Sequence, residues 1–233
     1  MKLGIIITTY QRRDGTTPEY LKRALQSVKD QTHQDYKVFL IGDKYENAEE
    51  FVSIADSIIP EDKLYFKNLP VAVERDRYPN GGIELWRCGG ANAYNYGVKR
   101  CYEEGIHYIC KLDHDDYWDV NHLSYINDVI ENTNEEAAVV YTCGTYFTSY
   151  LPQVPLDGKV VIDIPKPGQA IHSTSCIDYS KVYLEYRDTA YEVGVPDAGD
   201  ADLLKRLTSE VVNKGLKSYL IRMITCHHPE ENH

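Results

Sequence analysis

The stretch Lys111–Trp118 reads Lys-Leu-Asp-His-Asp-Asp-Tyr-Trp and follows an apolar, β-prone run that begins at His107. This pattern predicts a buried strand that ends abruptly in three carboxylates. Like charges so close together repel, and a fold tolerates them best around a cation, here Mg²⁺, Ca²⁺ or Mn²⁺ rather than zinc. Because ligands of open α/β sheets bind at the carboxyl ends of strands, the stretch predicts a ligand site. The alternative is a solvated acidic turn, with Asp116 or Asp119 capping the next helix.

The rest of the first half alternates between two patterns. Continuous apolar runs predict buried strands at 4–9, 36–42, 63–67 and 107–112. Apolar residues at helical spacing predict two helices between them, the first capped by Thr17 with Pro18 in its first turn and the second carrying Phe51. Residues 69–88, rich in Pro, Gly and Arg, predict a long connection before a helix at 89–104. Strands that alternate with helices are typical of a parallel, doubly wound α/β sheet.

The second half is less regular. A helix at 120–131 and a strand at 137–142 continue the alternation, but beyond Thr145 the predicted strands are short and separated by Pro and Gly. An amphipathic helix at 199–213 and a strand at 217–224 follow. The sequence therefore predicts an α/β domain with a regular first half and a more irregular second half around one sheet.

The composition excludes several classes of protein. The 233 residues include 25 Lys and Arg against 36 Asp and Glu, and the net charge of −11 disfavours a nucleic-acid partner. Hydrophobic residues at 42% and charged residues at 26% are typical of a globular protein. No apolar run reaches the roughly 18 residues of a transmembrane segment, and the N-terminus lacks a signal-peptide layout. Six scattered cysteines predict reduced thiols, and together these features predict a cytoplasmic protein.

Three segments resemble the family 2-type glycosyltransferases of the GT-A fold. Residues 4–12, Gly-Ile-Ile-Ile-Thr-Thr-Tyr-Gln-Arg, are similar to that family's opening strand and its T-x-N-R-like loop. Residues 25–32, Leu-Gln-Ser-Val-Lys-Asp-Gln-Thr, are similar to its S-V-x-x-Q-T helix end, and Lys111–Trp118 is similar to its F-L-D-x-D-D-x-W. The resemblance implies a Rossmann-like, mainly parallel central sheet flanked by helices, with a more irregular acceptor side in the C-terminal half.

The resemblance also implies a function and a division of the chain. It implies a single GT-A domain over residues 1–233, in which residues 1–116 bind the nucleotide sugar and residues 117–233 supply the acceptor-binding and catalytic side. The implied activity is the metal-dependent, inverting transfer of a sugar from a nucleotide-diphosphate donor, with a UDP-sugar favoured, to a hydroxyl of a glycan or other acceptor. The implied cofactor is Mn²⁺ or Mg²⁺.

The acidic stretch supplies the expected metal site. By resemblance Asp115, the second Asp of the D-x-D motif, binds the cation that bridges the donor's two phosphates and neutralises charge as the sugar departs. Asp113, on the same side of the strand end, resembles the Asp that contacts the donor's ribose or a water on the metal. His228 lies in a segment similar to the family's terminal H-P element and is expected to complete the coordination or touch a phosphate. The alternative is that His227 and His228 are exposed and idle.

Four residues are expected to hold the nucleotide. By resemblance Asp43, which closes the second predicted strand, accepts a hydrogen bond from the base N–H, most often of uracil. Thr8 and Tyr10, at the end of the first strand, are placed to contact and stack on that base, although plain packing is the alternative for Tyr10. Arg87, ahead of the Gly89 helix, matches a cation near the diphosphate.

An inverting transfer needs a base that removes the acceptor proton on the sugar face opposite the leaving nucleotide. The family carries an E-D pair at the start of its late helix, and residues 197–207 resemble that segment. Asp200 aligns with the aspartate of the pair and is the expected base, with Asp197 as the second candidate. The alternative is that Asp200 only caps the helix. Residues 172–175 resemble an acceptor-side segment in which a sugar contact is expected.

The chain departs from the family pattern at three positions. Gly42 and Gly199 replace acidic residues, and Tyr94 replaces an Arg beside Asn95, which is expected to fix the loop geometry. The two glycine departures keep open a non-catalytic module that binds nucleotide sugar or glycan. A nucleotidylyltransferase would share the sheet and the acid–metal chemistry, but it normally has a Gly-rich, basic first loop that residues 11–15 do not match.

Overall fold

The computed structural model describes residues 1–187 and 197–229. Within these residues the strands are β1 (Leu3–Thr9), β2 (Tyr36–Gly42), β3 (Leu64–Asn68), β4 (Tyr108–Asp113), β5 (Tyr117–Trp118), β6 (Ala137–Tyr146), β7 (Ser149–Leu151), β8 (Val160–Ile162), β9 (Ser175–Asp178) and β10 (Lys217–His228). The α-helices are α1 (Thr17–Lys29), α2 (Ala48–Ile58), α3 (Val73–Arg77), α4 (Gly82–Cys88), α5 (Ala91–Glu103), α6 (His122–Asn132) and α7 (Gly199–Asn213). Short 3₁₀ turns lie at Glu61–Lys63 and His172–Thr174.

The strands form one mixed sheet that is parallel in its first half. Its order is β3-β2-β1-β4-β9-β6-β10-β5, with β7 beside β6 and β8 beside β10. Strands β1 to β4 run parallel, β9 runs antiparallel between β4 and β6, and β10 runs parallel to β6. The predicted fold class, a mainly parallel α/β sheet with a more irregular second half, is confirmed.

Helices cover both faces of the sheet because its central strands are apolar on both sides. On β1, Ile5 and Ile7 face the layer that contains α1, α2 and α6, and Ile6 faces the layer that contains α5 and α7. All three side chains are fully buried. Burial of apolar surface in these two layers stabilises the fold by about 25 cal/mol per Å². Among the described helices, none combines the length and the apolarity needed to cross a membrane.

Most boundaries predicted from the sequence are confirmed within one or two residues. Strand β2 spans the predicted residues 36–42, and α7 spans the predicted residues 199–213. Strands β6 and β10 are longer than predicted because they pair with each other along their length. The predicted connection at 69–88 contains the short helices α3 and α4. Thr17 is the first residue of α1 rather than its cap, and its hydroxyl accepts a hydrogen bond from the Arg12 amide at 2.9 Å.

The register of the parallel strands brings three strand ends to one edge of the sheet. Thr8 of β1 lies beside Asp113 of β4, and Thr9 lies beside Gly42 of β2. Asp43 follows β2 directly. Residues separated by about a hundred positions in the chain therefore meet at the carboxyl ends of the strands, where ligands of such sheets bind.

Candidate active site

A cleft of about 590 Å³ opens at this edge of the sheet. Its walls come from the loops that follow β1, β2 and β4, from α4 and the start of α5, and from the ends of β6 and β10. The lining residues are Thr8, Thr9, Tyr10, Arg12, Asp43, Arg75, Gly82, Leu85, Trp86, Gly89, Gly90, Asp113, His114, Asp115, Tyr146, Phe147 and His228. The candidates that line it are therefore Thr8, Tyr10, Asp43, Asp113, Asp115 and His228. Arg87 follows the lining residue Trp86 in α4. Asp200 is connected to the cleft through His172, which also contacts the lining residue Asp113.

Asp43, Arg75 and Tyr10 form one end of the cleft. Asp43 is 2% exposed, and its Oδ2 accepts a hydrogen bond from Arg75 Nε at 3.1 Å. The Arg75 guanidinium lies 5.2 Å from the centre of the Tyr10 ring. Burial raises the pKa of Asp43, against the opposing effect of the Arg75 hydrogen bond and charge. Asp43 Oδ1 is buried without a hydrogen-bond partner among the described residues, so it is an acceptor that a ligand can satisfy.

The start of α5 borders the same end of the cleft. Gly90 precedes the helix with a φ of +77°, a left-handed conformation that glycine adopts without strain. A Cβ at Gly90 would lie 3.8 Å from the Thr8 hydroxyl, so the helix start approaches β1 closely. Glu74, which is buried, accepts a hydrogen bond from the Asn92 amide at 2.8 Å. Its carboxylate therefore satisfies one of the donors at the N-terminus of α5.

The acidic stretch forms a tight turn between β4 and β5 that separates its carboxylates. Asp115 lines the cleft, and its Oδ2 accepts a hydrogen bond from Arg12 Nη2 at 2.7 Å. Asp116 is fully buried, and its Oδ1 lies 2.6 Å from His228 Nδ1. The alternative role of Asp116 or Asp119 as a helix cap is wrong, since Asn121 occupies the cap position of α6.

Buried Asp116, which follows Asp115 in the chain, pairs with the partly exposed His228. Burial raises the pKa of Asp116, the hydrogen bond from His228 opposes this effect, and the charges of Asp113 and Asp115 add to it. The hydrogen bond with Asp116 raises the pKa of His228, against the effect of burial. Asp116 Oδ2 has no hydrogen-bond partner in the described part of the chain. Asp115 and Asp116 give this corner the negative charge that a hard divalent cation requires.

The protein donors at this corner are few. Across residues 1–187 and 197–229, no group of three or more His, Cys, Asp or Glu side chains is arranged to hold a metal ion. The two predicted ligands, Asp115 and His228, line the same cleft. Such a pair fits a cation whose other ligands are substrate phosphates and water, which is the usual binding mode of Mg²⁺.

A second ionic group links β4 to α7. Asp113 Oδ1 lies 2.9 Å from Lys111 Nζ, and Asp113 Oδ2 contacts His172 Nε2. The other ring nitrogen of His172 lies 3.4 Å from Asp200 Oδ2. Burial alone would raise the pKa of Asp113, but His172 and Lys111 hold it well below its usual range. Against the same effect of burial, the hydrogen bond and charge of His172 lower the pKa of Asp200 to about 2.

The two departures to glycine have a packing cause. A Cβ at Gly42 would lie 2.7 Å from Asn68 Oδ1, which accepts a hydrogen bond from the Tyr45 amide at 2.8 Å. Asn68 therefore occupies the space that an acidic side chain would need. A Cβ at Gly199 would lie 2.9 Å from the carbonyl oxygen of Arg87. Because glycine has no Cβ, the end of α4 can pack directly against the start of α7, beside Asp200.

The third departure, Tyr94, is a core residue. Its hydroxyl lies 2.9 Å from that of Tyr179, and its ring packs edge-on against Tyr186 at 4.8 Å. The neighbouring Asn95 binds both backbone polar groups of Tyr186, donating to the carbonyl at 2.7 Å and accepting from the amide at 2.8 Å. Helix α5 thus holds Tyr186 in place.

Sequence reasoning did not select Arg75, Glu74, Lys111 or Arg12 as site residues. Arg75 and Glu74 lie in the irregular 69–88 region, where no periodic pattern marks them. Lys111 is the one charged residue near the end of the apolar run at 107–112, and this charge is the feature that could have marked it as a site residue. His172 was expected only to contact a sugar, and its two carboxylate partners lie far from it in sequence.

The fold is shared with solved structures of S. aureus TarS. The S. aureus TarS fragment 1–349 matches with a TM-score of 0.67 and 12% identity over 98% of this chain and 60% of that chain. The same fragment in complex with UDP-GlcNAc matches with a TM-score of 0.67 and 12% identity over 100% of this chain. The present chain thus spans about 60% of the length of the solved one. These likenesses define the class of fold, the GT-A type.

The sequence comparisons define the family. The sequence model described as Glycosyl transferase family 2 matches residues 4–154. An uncharacterized glycosyltransferase of Acanthamoeba polyphaga mimivirus is 30% identical over 239 residues, which cover 99% of this chain and 95% of the relative. The chain therefore belongs to glycosyl transferase family 2, and it is a glycosyltransferase. This membership removes the support for the nucleotidylyltransferase alternative.

Proposed function

We propose that this glycosyltransferase is metal-dependent and inverting, and that it transfers a sugar from a UDP-sugar to a hydroxyl of a glycan or other acceptor. The observation that carries the proposal is that Asp43 and Asp115 line one cleft. Asp43 lies beside Tyr10 and Arg75, and Asp115 lies next to the Asp116–His228 pair. Its volume of about 590 Å³ lies in the range of small-molecule sites. The nucleobase of the donor would occupy one end of the cleft, and its diphosphate would occupy the other.

The Asp43 end supports uracil. Its unpaired Oδ1 accepts hydrogen bonds, and the Arg75 guanidinium beside it donates them. Uracil presents an N–H flanked by carbonyl oxygens, which matches this order of acceptor and donor. Adenine and cytosine present a ring-nitrogen acceptor at the equivalent position, and it would face the Asp43 carboxylate. TarS, which shares the fold, has been solved with UDP and with UDP-GlcNAc, in line with this choice of base.

The acidic corner supports Mn²⁺ or Mg²⁺. Asp115 and His228 would hold the ion, which when bound supplies positive charge to the leaving diphosphate. Arg12, which now neutralises Asp115 at 2.7 Å, lies where it can also contact phosphate oxygens. Asp116 orients the His228 ring through Nδ1 and leaves Nε2 as the nitrogen for a ligand.

Asp200 is the proposed general base. The hydrogen bond and charge of His172 hold its pKa at about 2, so the carboxylate is ionised throughout the physiological range. Its side chain is 44% exposed, so an acceptor hydroxyl can reach it. A positioned base of this kind contributes typically about 10²–10⁴-fold to the rate. Asp197, which precedes Ala198 and Gly199, is the second candidate for the general base.

The test is a turnover assay on the full chain. UDP-sugars, GDP-sugars and ADP-sugars are supplied with Mn²⁺ and a panel of glycoside acceptors, and the released nucleotide is measured. The proposal expects release from UDP-sugars only, abolished by EDTA and restored by Mn²⁺. Tight UDP binding with no release from any donor would instead support the non-catalytic module, and equal release from ADP-sugars would contradict the role of Asp43.

A further inference from the structure

His172 has both ring nitrogens against carboxylates. Nε2 contacts Asp113 Oδ2, and Nδ1 lies 3.4 Å from Asp200 Oδ2. An ionised carboxylate only accepts hydrogen bonds, so a proton on each ring nitrogen is favoured and the surroundings stabilise the imidazolium form. Burial would lower the pKa of His172, but the Asp113 charge raises it well above its usual value. The ring is 17% exposed, so its charge is little screened by water.

The charges around this ring are balanced. Lys111 Nζ lies 2.9 Å from Asp113 Oδ1 and 3.5 Å from the Tyr186 hydroxyl, so Asp113 contacts one cation through each oxygen. Two cations, Lys111 and His172, thus face two carboxylates, Asp113 and Asp200. Removing one member of such a partly buried group leaves an uncompensated charge on its partner.

The turn that carries His172 is firmly attached. Ser173 accepts a hydrogen bond from the Trp118 indole through its carbonyl at 2.8 Å, and its hydroxyl accepts one from the Asp113 amide at 3.3 Å. The His172 carbonyl accepts one from the Ser175 hydroxyl at 2.9 Å. The ring therefore projects from a fixed backbone that is bonded to the end of β4. A fixed donor can define where a mobile carboxylate lies.

We propose that His172 is a positioning residue for sugar transfer, which holds the Asp200 carboxylate at the cleft and couples it to Asp113 on the donor side. The inference rests on the proposed function of Asp200 as the base. In the transfer, the acceptor oxygen forms a bond to the anomeric carbon, and its proton passes to Asp200. The bond from that carbon to the phosphate oxygen breaks, and its electron pair leaves with the diphosphate. His172 keeps both of its protons throughout.

A positioning role for His172 should affect kcat more than KM. Without the imidazolium, the partly exposed Asp200 side chain loses the charged partner that fixes it, while the Asp43 end of the cleft is unchanged. Misplacement of a reacting group by about 1 Å costs roughly 10²-fold in rate. His172→Ala should therefore lower kcat by about 10²-fold and change the KM for the UDP-sugar less than about threefold. His172→Gln, which can reach only one carboxylate with its amide N–H₂, should lie between His172→Ala and wild type.

The experiment compares His172→Ala, His172→Gln, Asp200→Asn and a control, His33→Gln, in the full chain. His33 contacts the carbonyl of Met1, at the end of β1 opposite the cleft. The measurements are kcat and KM for the UDP-sugar that turns over fastest in the panel, and the Kd of UDP with Mn²⁺. The expected result is a loss of kcat in both His172 variants, with the Kd of UDP unchanged and His33→Gln like wild type.

Two results would overturn the inference. Normal kcat in both His172 variants, while Asp200→Asn is inactive, would remove the role of His172 and leave the proposed function intact. A loss confined to KM and to the Kd of UDP would make His172 a donor-binding residue instead. Normal turnover in Asp200→Asn would contradict the proposed base itself, and the inference with it. His172→Gln keeps the test decisive if His172→Ala does not fold.

Discussion

At the scale of single residues, the carboxylates of the cleft differ because their neighbours differ. Asp43 is buried with one cation beside it, and burial raises its pKa. Asp113 is held well below its usual pKa because it has two cationic partners, His172 and Lys111. The same carboxylate group is therefore proposed as a hydrogen-bond acceptor at Asp43, as a partner of two cations at Asp113 and as the general base at Asp200, depending on its environment.

Asp43→Asn tests the recognition of the base. The amide keeps the size of the side chain but loses the charge that accepts the hydrogen bond. A hydrogen bond to a charged group contributes about 1.5–3 kcal/mol, so the affinity for UDP should fall by roughly 10–100-fold. Isothermal titration calorimetry with UDP and ADP measures this change. Asp76→Asn is the matched control, since Asp76 is 48% exposed and pairs with Lys44; equal losses in both variants would argue against the role of Asp43.

Asp200→Asn tests the base. An amide cannot take the acceptor proton, so kcat should fall by about 10²–10⁴-fold while the Kd of UDP stays the same. Steady-state turnover of the preferred UDP-sugar gives the first quantity and calorimetry the second. Asp197→Asn serves as the comparison, and full loss of activity there with normal turnover in Asp200→Asn would transfer the role to Asp197.

At this scale the sequence predicted the acidic residues better than their partners. Asp43, Asp113 and Asp115 follow apolar runs, and the end of a buried strand can be read from periodicity. Arg75 and His172 lie in irregular segments and reach the site only through tertiary folding. A local pattern carries no signal for such residues.

At the scale of elements, the start of α7 is the part of the site most constrained by packing. Gly199 is buried, and the Arg87 carbonyl occupies the space next to its Cα. Helix α7 is also tied to Arg187 through Asp202, which is 2% exposed and accepts hydrogen bonds from Arg187 and from Arg206 of the same helix. Both contacts place Asp200 relative to the cleft.

Gly199→Ala should destabilise the protein although alanine favours helices. The new Cβ would lie 2.9 Å from the Arg87 carbonyl, and such overpacking costs typically about 1–3 kcal/mol. Urea unfolding measures the free energy of unfolding. Val212→Ala, at a 58% exposed position of the same helix, should change it by no more than about 0.5 kcal/mol. A Gly199→Ala variant as stable as wild type would contradict the close approach of α4.

Asp202→Asn should cost about 1.5–3 kcal/mol, because two partly exposed arginines lose the charged partner that accepts their hydrogen bonds. Burial alone would raise the pKa of Asp202, but Arg187 and Arg206 hold it below the usual value. A depressed pKa in the folded state stabilises the protein above the unfolded value of about 3.9, and this contribution is lost as the pH falls further. The difference in unfolding free energy between wild type and variant should therefore shrink below about pH 4.

The control for this prediction is Glu210→Gln in the same helix. Glu210 pairs with Lys214 at 2.9 Å, but its side chain is 39% exposed, so its removal should cost less than about 1 kcal/mol. A difference for Asp202→Asn that stays constant between pH 7 and pH 3 would contradict the ionic origin of its effect.

Elements with a clear periodicity were predicted from the sequence, and short ones were not. The apolar runs of β1 to β4 and the apolar stripe of α7 are long enough to identify strand and helix. Helices α3 and α4 have 5 and 7 residues and no apolar stripe, so they could not be predicted. The insertion of β9 between β4 and β6 depends on pairing between distant segments, which no local pattern encodes.

At the scale of the whole molecule, one edge of one sheet gathers the site. Residues from β1, β2 and β4 meet there because parallel strands end together, and the ends of β6 and β10 close the cleft from the other side. The fold class and the family could be predicted from three short segments of sequence. The donor sugar and the acceptor could not, because they depend on side chains from irregular loops rather than on the fold.

We propose that Asp115 binds a divalent cation that holds the donor's diphosphate. Calorimetric titration of UDP into wild type and Asp115→Asn, with Mn²⁺ and with EDTA, tests this role. Removing Mn²⁺ should weaken UDP binding to wild type by about tenfold or more, and Asp115→Asn should bind UDP weakly in both conditions. Equal UDP affinity of wild type with and without Mn²⁺ would contradict it.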